Sequence, residues 1–273
     1  MSKFRAACVQ MRSSDDPVEN IATASELIRE AKAQGAAFIA TPENTTLMAP
    51  DGGAKLKHSF TEDRDPALPA FCALAEELRI WLLIGSLAIK VSETKTANRS
   101  FLIDPKGEIA ARYDKIFLFD VDLPSGEHYR ESNTVAGGDR AVTADLPWGK
   151  VGLSICYDLR FPQLYRALAK AGAFMLTVPS AFTETTGKAH WHALLKARAI
   201  ENGAFVIAPA QGGHHANGRR TYGHSLIVGP WGEILTEGGT EPGVFLAEID
   251  PTASTAARDR IPNLHHDRAF EGP

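Results

Sequence analysis

The chain has 273 residues, 44% hydrophobic and 23% charged, with 29 Lys+Arg against 33 Asp+Glu for a net charge of −4. With no basic run, that balance excludes a nucleic-acid partner on electrostatic grounds. The opening MSKFRAACVQMRSSDDP has no long apolar stretch, and no later segment reaches membrane-spanning length, so no membrane partner is expected. Cys8, Cys72 and Cys156 are odd in number, far apart and without a C-x-x-C pair. That argues against a disulfide framework and for a reducing compartment, which makes the cytoplasm the expected location.

Short β-like runs alternate with helical patterns from end to end. FRAACVQM reads as a first strand. In SSDDPVENIATASELIREAKAQG, Asp16 can cap a helix, Pro17 suits its first position and Glu19 completes a capping box. Val18, Ile21, Ala24, Leu27, Ile28 and Ala31 form its apolar face, and Gly35 stops it. AAFIATP is a strand too oily on both faces for an edge. DPALPAFCALAEELR is a second helix, with a stripe of Leu68, Phe71, Cys72, Ala75 and Leu78. WLLIGSLAI is a strand, and NRSFLIDPKGEIAARYDK is a hairpin turning at 104–107. KVGLSIC is a strand ending on Cys156, PQLYRALAKAG a helix and AFMLTVP a strand. The helix GKAHWHALLKARAIENG precedes the strands AFVIAP, GHSLIVGP and VFLAEID, and SLIVGPWGEIL turns at Pro-Trp-Gly.

Strands separated by helices imply crossover units and a mostly buried sheet. Hairpin insertions and two helices per sheet would leave each sheet half covered, so a four-layer α-β-β-α sandwich fits. No linker or break in composition divides the chain, and residues 1–273 are read as one domain. Three oily strands end in proline plus a small or polar residue: FIATPEN, MLTVPSA and FVIAPAQ. Proline cannot continue a ladder, so each marks a carboxyl end. Such ends line the ligand crevice of open α/β sheets, which brings Glu43, Ser180, Gln211 and Cys156 to one rim.

Taken singly, Glu43 reads as a surface carboxylate, Lys115 as a solvated loop lysine and Cys156 as a small buried hydrophobe. Together they make a chemical unit. A thiol attacks as thiolate and needs a base or a positive charge beside it. A carboxylate at a dry rim can take its proton and later activate water. A lysine can hold the oxyanion of a tetrahedral intermediate, and the Tyr157 N–H after the nucleophile is a second donor.

With those residues and their chain order, the sequence resembles the nitrilase superfamily of carbon–nitrogen hydrolases over essentially its whole length, from AACVQM to VFLAEID. The resemblance implies that Glu43 in ATPEN, Lys115 in YDKIFLFD and Cys156 in SICYDLRFP are catalytic. Glu131 in YRESNT matches a second glutamate of the family, ahead of Glu127 in SGEHY. CYDLRFP departs from the Cys-Trp-Glu of true nitrilases, which argues against nitriles as substrates. PSAFTETTGKAHWHALLKARAIEN and YGHSLIVGPWGE resemble small amidases acting on deaminated glutathione and on α-ketoglutaramate, and AQGGHHANGRRTYGHS is closer to the first. The resemblance further implies an α-β-β-α fold, no cofactor, and a homodimer assembled in part through the tail at 260–273. An N-carbamoyl amino-acid hydrolase and a catalytically silent binding module are the alternatives.

The remaining residues carry less. Arg160 pairs with Asp158 or clamps a substrate carboxylate, and the clamp is preferred. Thr186 and Ser180 can supply hydrogen bonds, and His190 follows the Thr-rich loop towards the pocket. Nine histidines show no H-E-x-x-H or other ligand spacing, so no metal is expected.

Overall fold

The computed structural model describes residues 2–123 and 126–272. In chain order its elements begin with β1 (Phe4–Gln10), α1 (Pro17–Ala33), β2 (Phe38–Ala40), α2 (Gly52–Lys57), α3 (Ala67–Leu78), β3 (Trp81–Lys90), β4 (Thr96–Ile103) and β5 (Ile109–Asp114). Three short strands follow, β6 (Asp120–Asp122), β7 (His128–Arg130) and β8 (Val135–Ala136). Next come β9 (Val142–Leu146), β10 (Gly149–Leu153), α4 (Pro162–Lys170), β11 (Ala173–Thr177), α5 (Glu184–Asn202) and β12 (Phe205–Ala208). The hairpins β13 (Gly212–His214) with β14 (Arg220–Tyr222) and β15 (Leu226–Val228) with β16 (Ile234–Glu237) precede β17 (Gly243–Ile249) and α6 (Pro251–Arg260).

Two large sheets carry the fold, in the orders β17-β1-β2-β3-β4-β5 and β16-β15-β12-β11-β10-β9. Each has three parallel strands at its heart, β1-β2-β3 and β10-β11-β12, with antiparallel neighbours outside them. Side-chain alternation explains why the parallel strands are oily on both faces. Ala6, Cys8, Phe38, Ala40 and Leu83 share an apolar layer with Val151, Leu153, Met175 and Ile207 of the other sheet. Their alternates Ala7, Val9, Ile39, Leu82 and Ile84 pack with Ile28 of α1 and Phe71 of α3. Leu164 and Leu168 of α4 and Trp191 and Leu195 of α5 cover the second sheet. The layers run α-β-β-α, as the sequence implied.

Local departures from the expected elements have local causes. Asp16 caps α1 by accepting from the Val18 and Glu19 N–H groups, but Glu19 accepts from Ser14 instead of closing a capping box. Val18 is exposed and lies outside the apolar face. Helix α5 starts at Glu184 because the Thr183 hydroxyl caps it through the Thr186 N–H, so the Thr-rich loop is its first turn. Strand β10 stops at Leu153, and Cys156 opens a 3-10 turn over Cys156–Arg160. After α6 the tail lies on α4, where Arg166 donates to the Asn263 carbonyl and pairs with Asp267. Pro273 of that tail is outside the described residues. Among those residues, no helix is long and apolar enough to cross a membrane.

Two of the three strand-end prolines, Pro179 and Pro209, accept bonds that stitch neighbouring strand ends together. Cys156 N–H donates to Pro179 O, Ser180 N–H to Pro209 O, and Gln211 N–H to Ser180 O, each at 2.9 Å. Proline keeps its carbonyl although it lacks the N–H, so Pro179 and Pro209 still accept from the N–H groups of the neighbouring strand ends. The parallel ends of the second sheet are thereby tied to one another.

Candidate active site

Glu43 stands two residues beyond Thr41, in a turn closed by Asn44 at a φ of 57°. A bulge in β3 at Gly85–Ser86 holds this turn: Gly85 N–H donates to the Thr41 hydroxyl, and the Ser86 hydroxyl accepts from Asn44 N–H at 2.9 Å. Bulges beside a site re-aim side chains, and here Ser86 is turned onto the Glu43 loop. Gln211 completes the clamp by donating to the Glu43 and Asn44 carbonyls.

Lys115 follows β5 and is 2% exposed. Its Nζ donates to Glu43 Oε1 at 2.9 Å and to Glu131 Oε2 at 2.9 Å. Glu43 Oε2 accepts from the Ala181 N–H, and Glu131 Oε2 also accepts from the Phe119 N–H. Glu131 is thus the second glutamate at the lysine. Glu127 lines the same cavity but accepts from the Tyr129 hydroxyl.

The charges set one another. Burial alone would raise the Glu43 carboxyl, but Lys115 outweighs it and holds Glu43 well below the usual carboxylate range. Burial would lower Lys115, and Glu131, Glu43 and Cys156 together push it above the ordinary lysine value. The Cys156 thiol is raised, first by burial and then by the Glu43 charge, against a lowering pull from Lys115. The resting site is therefore an ion triad facing a neutral thiol. Cys156 itself sits at a φ of 49°, in the left-handed region that a non-glycine residue occupies under constraint.

Sequence reasoning missed two positioning residues. Asn98 of β4 donates through Nδ2 to Glu43 Oε1 at 2.9 Å and to Glu131 Oε1 at 3.2 Å, bracing the two carboxylates that Lys115 also bridges. The signal was present: an amide inside the oily run TANRSFLI. Asp158, the alternative partner weighed for Arg160 against the clamp, is fully buried and forms no ion pair with it among the described residues. It accepts from the Tyr113 hydroxyl at 2.6 Å, Phe117 N–H at 2.9 Å and Ile155 N–H at 2.8 Å. It ties the segment after Lys115 to the turn that carries Cys156, and burial pushes its carboxyl up to about 6.

A cavity of about 530 Å³ opens above the triad, lined among others by Cys156, Tyr157, Phe182 and Thr186. Among the described residues no acceptor meets the Tyr157 N–H. The other expected binding residues fall outside this wall. Ser180 is a correction: it is fully buried, and its hydroxyl donates to the Val178 carbonyl as part of the strand-end stitching. His190 is exposed, and its Nδ1 lies 3.3 Å from both terminal nitrogens of Arg160. The Arg160 guanidinium stands 5.6 Å from the Phe182 ring and 5.8 Å from that of Tyr157, beside two wall residues.

Of the histidine pairs, His215 is buried on the Ser13 carbonyl and the Thr221 hydroxyl, and burial lowers its pKa to about 4. Among the described residues, His192, His224 and Glu237 bring ligand-type atoms within 4.8 Å of one another, outside the cavity wall. One oxygen of Glu237 lies 2.9 Å from His192 Nε2 and 2.8 Å from His224 Nδ1. Residues so far apart in the chain offer no spacing motif, so this cluster could not be read from sequence.

The chain was compared with known proteins on this footing. A family model described as carbon-nitrogen hydrolase matches residues 5–259. The deaminated glutathione amidase of Synechocystis sp. is 42% identical over 97% of this chain and 98% of its own length. The crystal structure of the C. elegans NitFhit protein superposes with a TM-score of 0.91 at 34% identity. That match covers 98% of this chain and 66% of the NitFhit chain, so this chain spans just under two thirds of it. An amidase from Nesterenkonia sp. AN1, 28% identical over 96% of this chain and 98% of its own, matches with a TM-score of 0.79; its Glu-to-Gln mutant was solved with acrylamide added at the active site cysteine.

Proposed function

Because the chain belongs to the carbon–nitrogen hydrolase family, we propose that Cys156 cleaves the C–N bond of a small carboxylate-bearing amide, with deaminated glutathione as the leading substrate. The protein is a thiol-dependent amidase that acts on amides other than peptide bonds. The observation that carries the catalytic assignment is Lys115 Nζ bridging Glu43 and Glu131 at 2.9 Å each, beside a buried thiol.

In this reading Glu43 removes the thiol proton as Cys156 Sγ attacks the amide carbon. Because the thiol is raised and Glu43 lowered, the transfer is uphill in the free enzyme and belongs to the attack itself. The developing oxyanion is held by Lys115 Nζ and the Tyr157 N–H, both fixed before substrate arrives. The tetrahedral centre collapses with the C–N bond breaking, and Glu43 returns its proton to the leaving nitrogen. Water then gives a proton to Glu43 and attacks the thioester, releasing the acid and restoring the thiol. Glu131 is a positioning residue that keeps Lys115 charged and aimed. Arg160, whose guanidinium stands beside the rings of Tyr157 and Phe182, is assigned to the carboxylate on the acyl side once a side-chain shift brings it to the cavity, and Thr186 of the wall can add a hydrogen bond.

Amide turnover and intact mass test this together. Cys156→Ala should release no product. Glu43→Gln should lower kcat by about 10²–10⁴-fold and accumulate an acyl adduct on Cys156. Turnover by Cys156→Ala would overturn the mechanism. Release of product from α-keto-acid amides, but not from carbamoyl amino acids or nitriles, is the expected result of a substrate panel.

Two coarser readings belong with this one. A reducing, cytoplasmic setting is supported by the need to keep Cys156 as a thiol, together with the free Cys8 and Cys72. A homodimer is supported by exposed Ile200, Trp231 and Ile261. Ile200 approaches Gly232, and Arg260 stacks over Trp231, so these side chains share one face. A second copy is the occupant proposed for it, since a two-fold contact closes on itself.

A further inference from the structure

We propose that His192, His224 and Glu237 form a binding site for a divalent metal ion of the zinc class, a clip that fastens α5 to the β15–β16 hairpin. The site is separate from the amide chemistry, because none of the three residues lines the cavity of Cys156.

Two imidazoles and one carboxylate are a donor set for zinc and its first-row neighbours, and they offer too few oxygens for calcium or magnesium. The three ligand-type atoms already lie within 4.8 Å of one another. Glu237 Oε1 is 2.9 Å from His192 Nε2 and 2.8 Å from His224 Nδ1. Donors about 2.1 Å from a tetrahedral ion stand roughly 3.4 Å apart, so each pair has to open by about half an ångström, within reach of side-chain rotation. Among the described residues Glu237 has no lysine or arginine partner, so its charge is not spent on a competing cation. The outer nitrogens, His192 Nδ1 and His224 Nε2, have no hydrogen-bond partner among those residues either. Each neutral ring can therefore carry its proton there and turn a lone pair towards the ion, giving up only its bond to Glu237. Water fills the remaining coordination positions, since all three side chains reach the surface.

The scaffold orders the donors before any ion arrives. His224 sits at a φ of 53°, in the left-handed region, and its backbone is held on both sides. Its N–H donates to the Gly239 carbonyl at 2.7 Å, and its carbonyl accepts from Trp191 Nε1 at 2.8 Å. Trp191 is fully buried and precedes His192 in α5, so one core residue registers both histidines. The Tyr222 ring stacks on that of His224 at 4.3 Å and meets His192 edge-on at 5.9 Å. Helix α5 makes room for that ring at Gly187, where a Cβ would meet the Tyr222 Cβ at 2.3 Å. Glu237 ends β16 opposite Leu226, and the Gly238 N–H after it donates to the Ser225 carbonyl at 2.9 Å. Ligands fixed in this way need little further ordering when they bind.

Zinc uptake by untagged Cys156→Ala protein, followed calorimetrically, probes the site without competition from the Cys156 thiol. One ion per chain should bind. His192→Gln, Glu237→Gln and His224→Asn should each weaken uptake about tenfold or more, through loss of one ligand of three. Asparagine is chosen at 224 because it tolerates a left-handed φ. His265→Gln with His266→Gln should leave uptake unchanged. Thermal denaturation without zinc checks the fold of each variant, and with zinc the melting temperature should rise in the parent but not in the three variants. Cobalt(II) loaded in place of zinc should give the visible spectrum of a low-coordinate nitrogen and oxygen site, a readout that needs no variant to fold. Absence of saturable uptake, uptake that survives all three substitutions or is lost with His265 and His266, uptake without a rise in melting temperature, or the cobalt spectrum of the aqueous ion would overturn the site.

Discussion

At the scale of single residues, Cys156 rests as a thiol because burial and the Glu43 carboxylate both oppose its ionisation. This gives a pH prediction. Glu43 is lowered, so its pairing with Lys115 is present above the ordinary 4.5 and fades only as pH falls through its depressed value. Lys115 is raised, so its contribution is complete below 10.5 and fades only above it. The rate constant kcat/KM should therefore not rise between neutrality and the ordinary thiol range. A rise centred where a free thiol titrates would contradict activation by Glu43 during attack. Asp158, near 6, is the group expected to set the acid limb. Replacing it tests its positioning role, since Asp158→Asn turns an amide donor towards groups that already donate. The expected loss is about 2–3 kcal/mol by chemical denaturation, with a fall in kcat as the Cys156 turn loosens.

At the scale of elements, the site is made by strand ends brought to one height. The bulge of β3 is the tightest part. A Cβ at Gly85 would meet the Thr41 carbonyl oxygen at 2.0 Å and the Pro179 Cβ at 2.5 Å, so β2, β3 and the end of β11 cannot all stay in place. Gly85→Ala should lower both the melting temperature and kcat, because the displaced backbone carries Glu43. A variant with full activity and unchanged stability would show that the ends of β2 and β11 need no such contact. The strand positions themselves were readable from the oily runs and their prolines. The start of α5 was not, because its cap depends on a Thr183 side chain that a loop would equally use. Nor was the bulge, since WLLIGSLAI reads as an unbroken strand.

At the scale of the whole molecule, two half-open sheets share one apolar layer and leave their outer faces to helices. The face with Ile200, Trp231 and Ile261 remains exposed. Light scattering should find a dimer, and Trp231→Glu with Ile200→Glu should shift it towards monomer. A monomer before substitution would remove the proposed partner.

The sequence by itself determined the layered α/β architecture and the carboxyl ends at one rim, and its resemblance to a known family singled out Glu43, Lys115 and Cys156 as candidates, with Glu131 ahead of Glu127. Periodicity and proline encode the first two locally, and a family-wide pattern of residue types carries the third. Only the tertiary structure decided that Glu131 rather than Glu127 meets Lys115, that Asn98 braces both carboxylates, and that Asp158 is a buried anchor for the Cys156 turn. It also moved Ser180 from the pocket into the scaffold and brought His192, His224 and Glu237 together. The physical reason is common to these cases. A side chain's partner is set by the distance between elements far apart in the chain, and no local pattern records that distance.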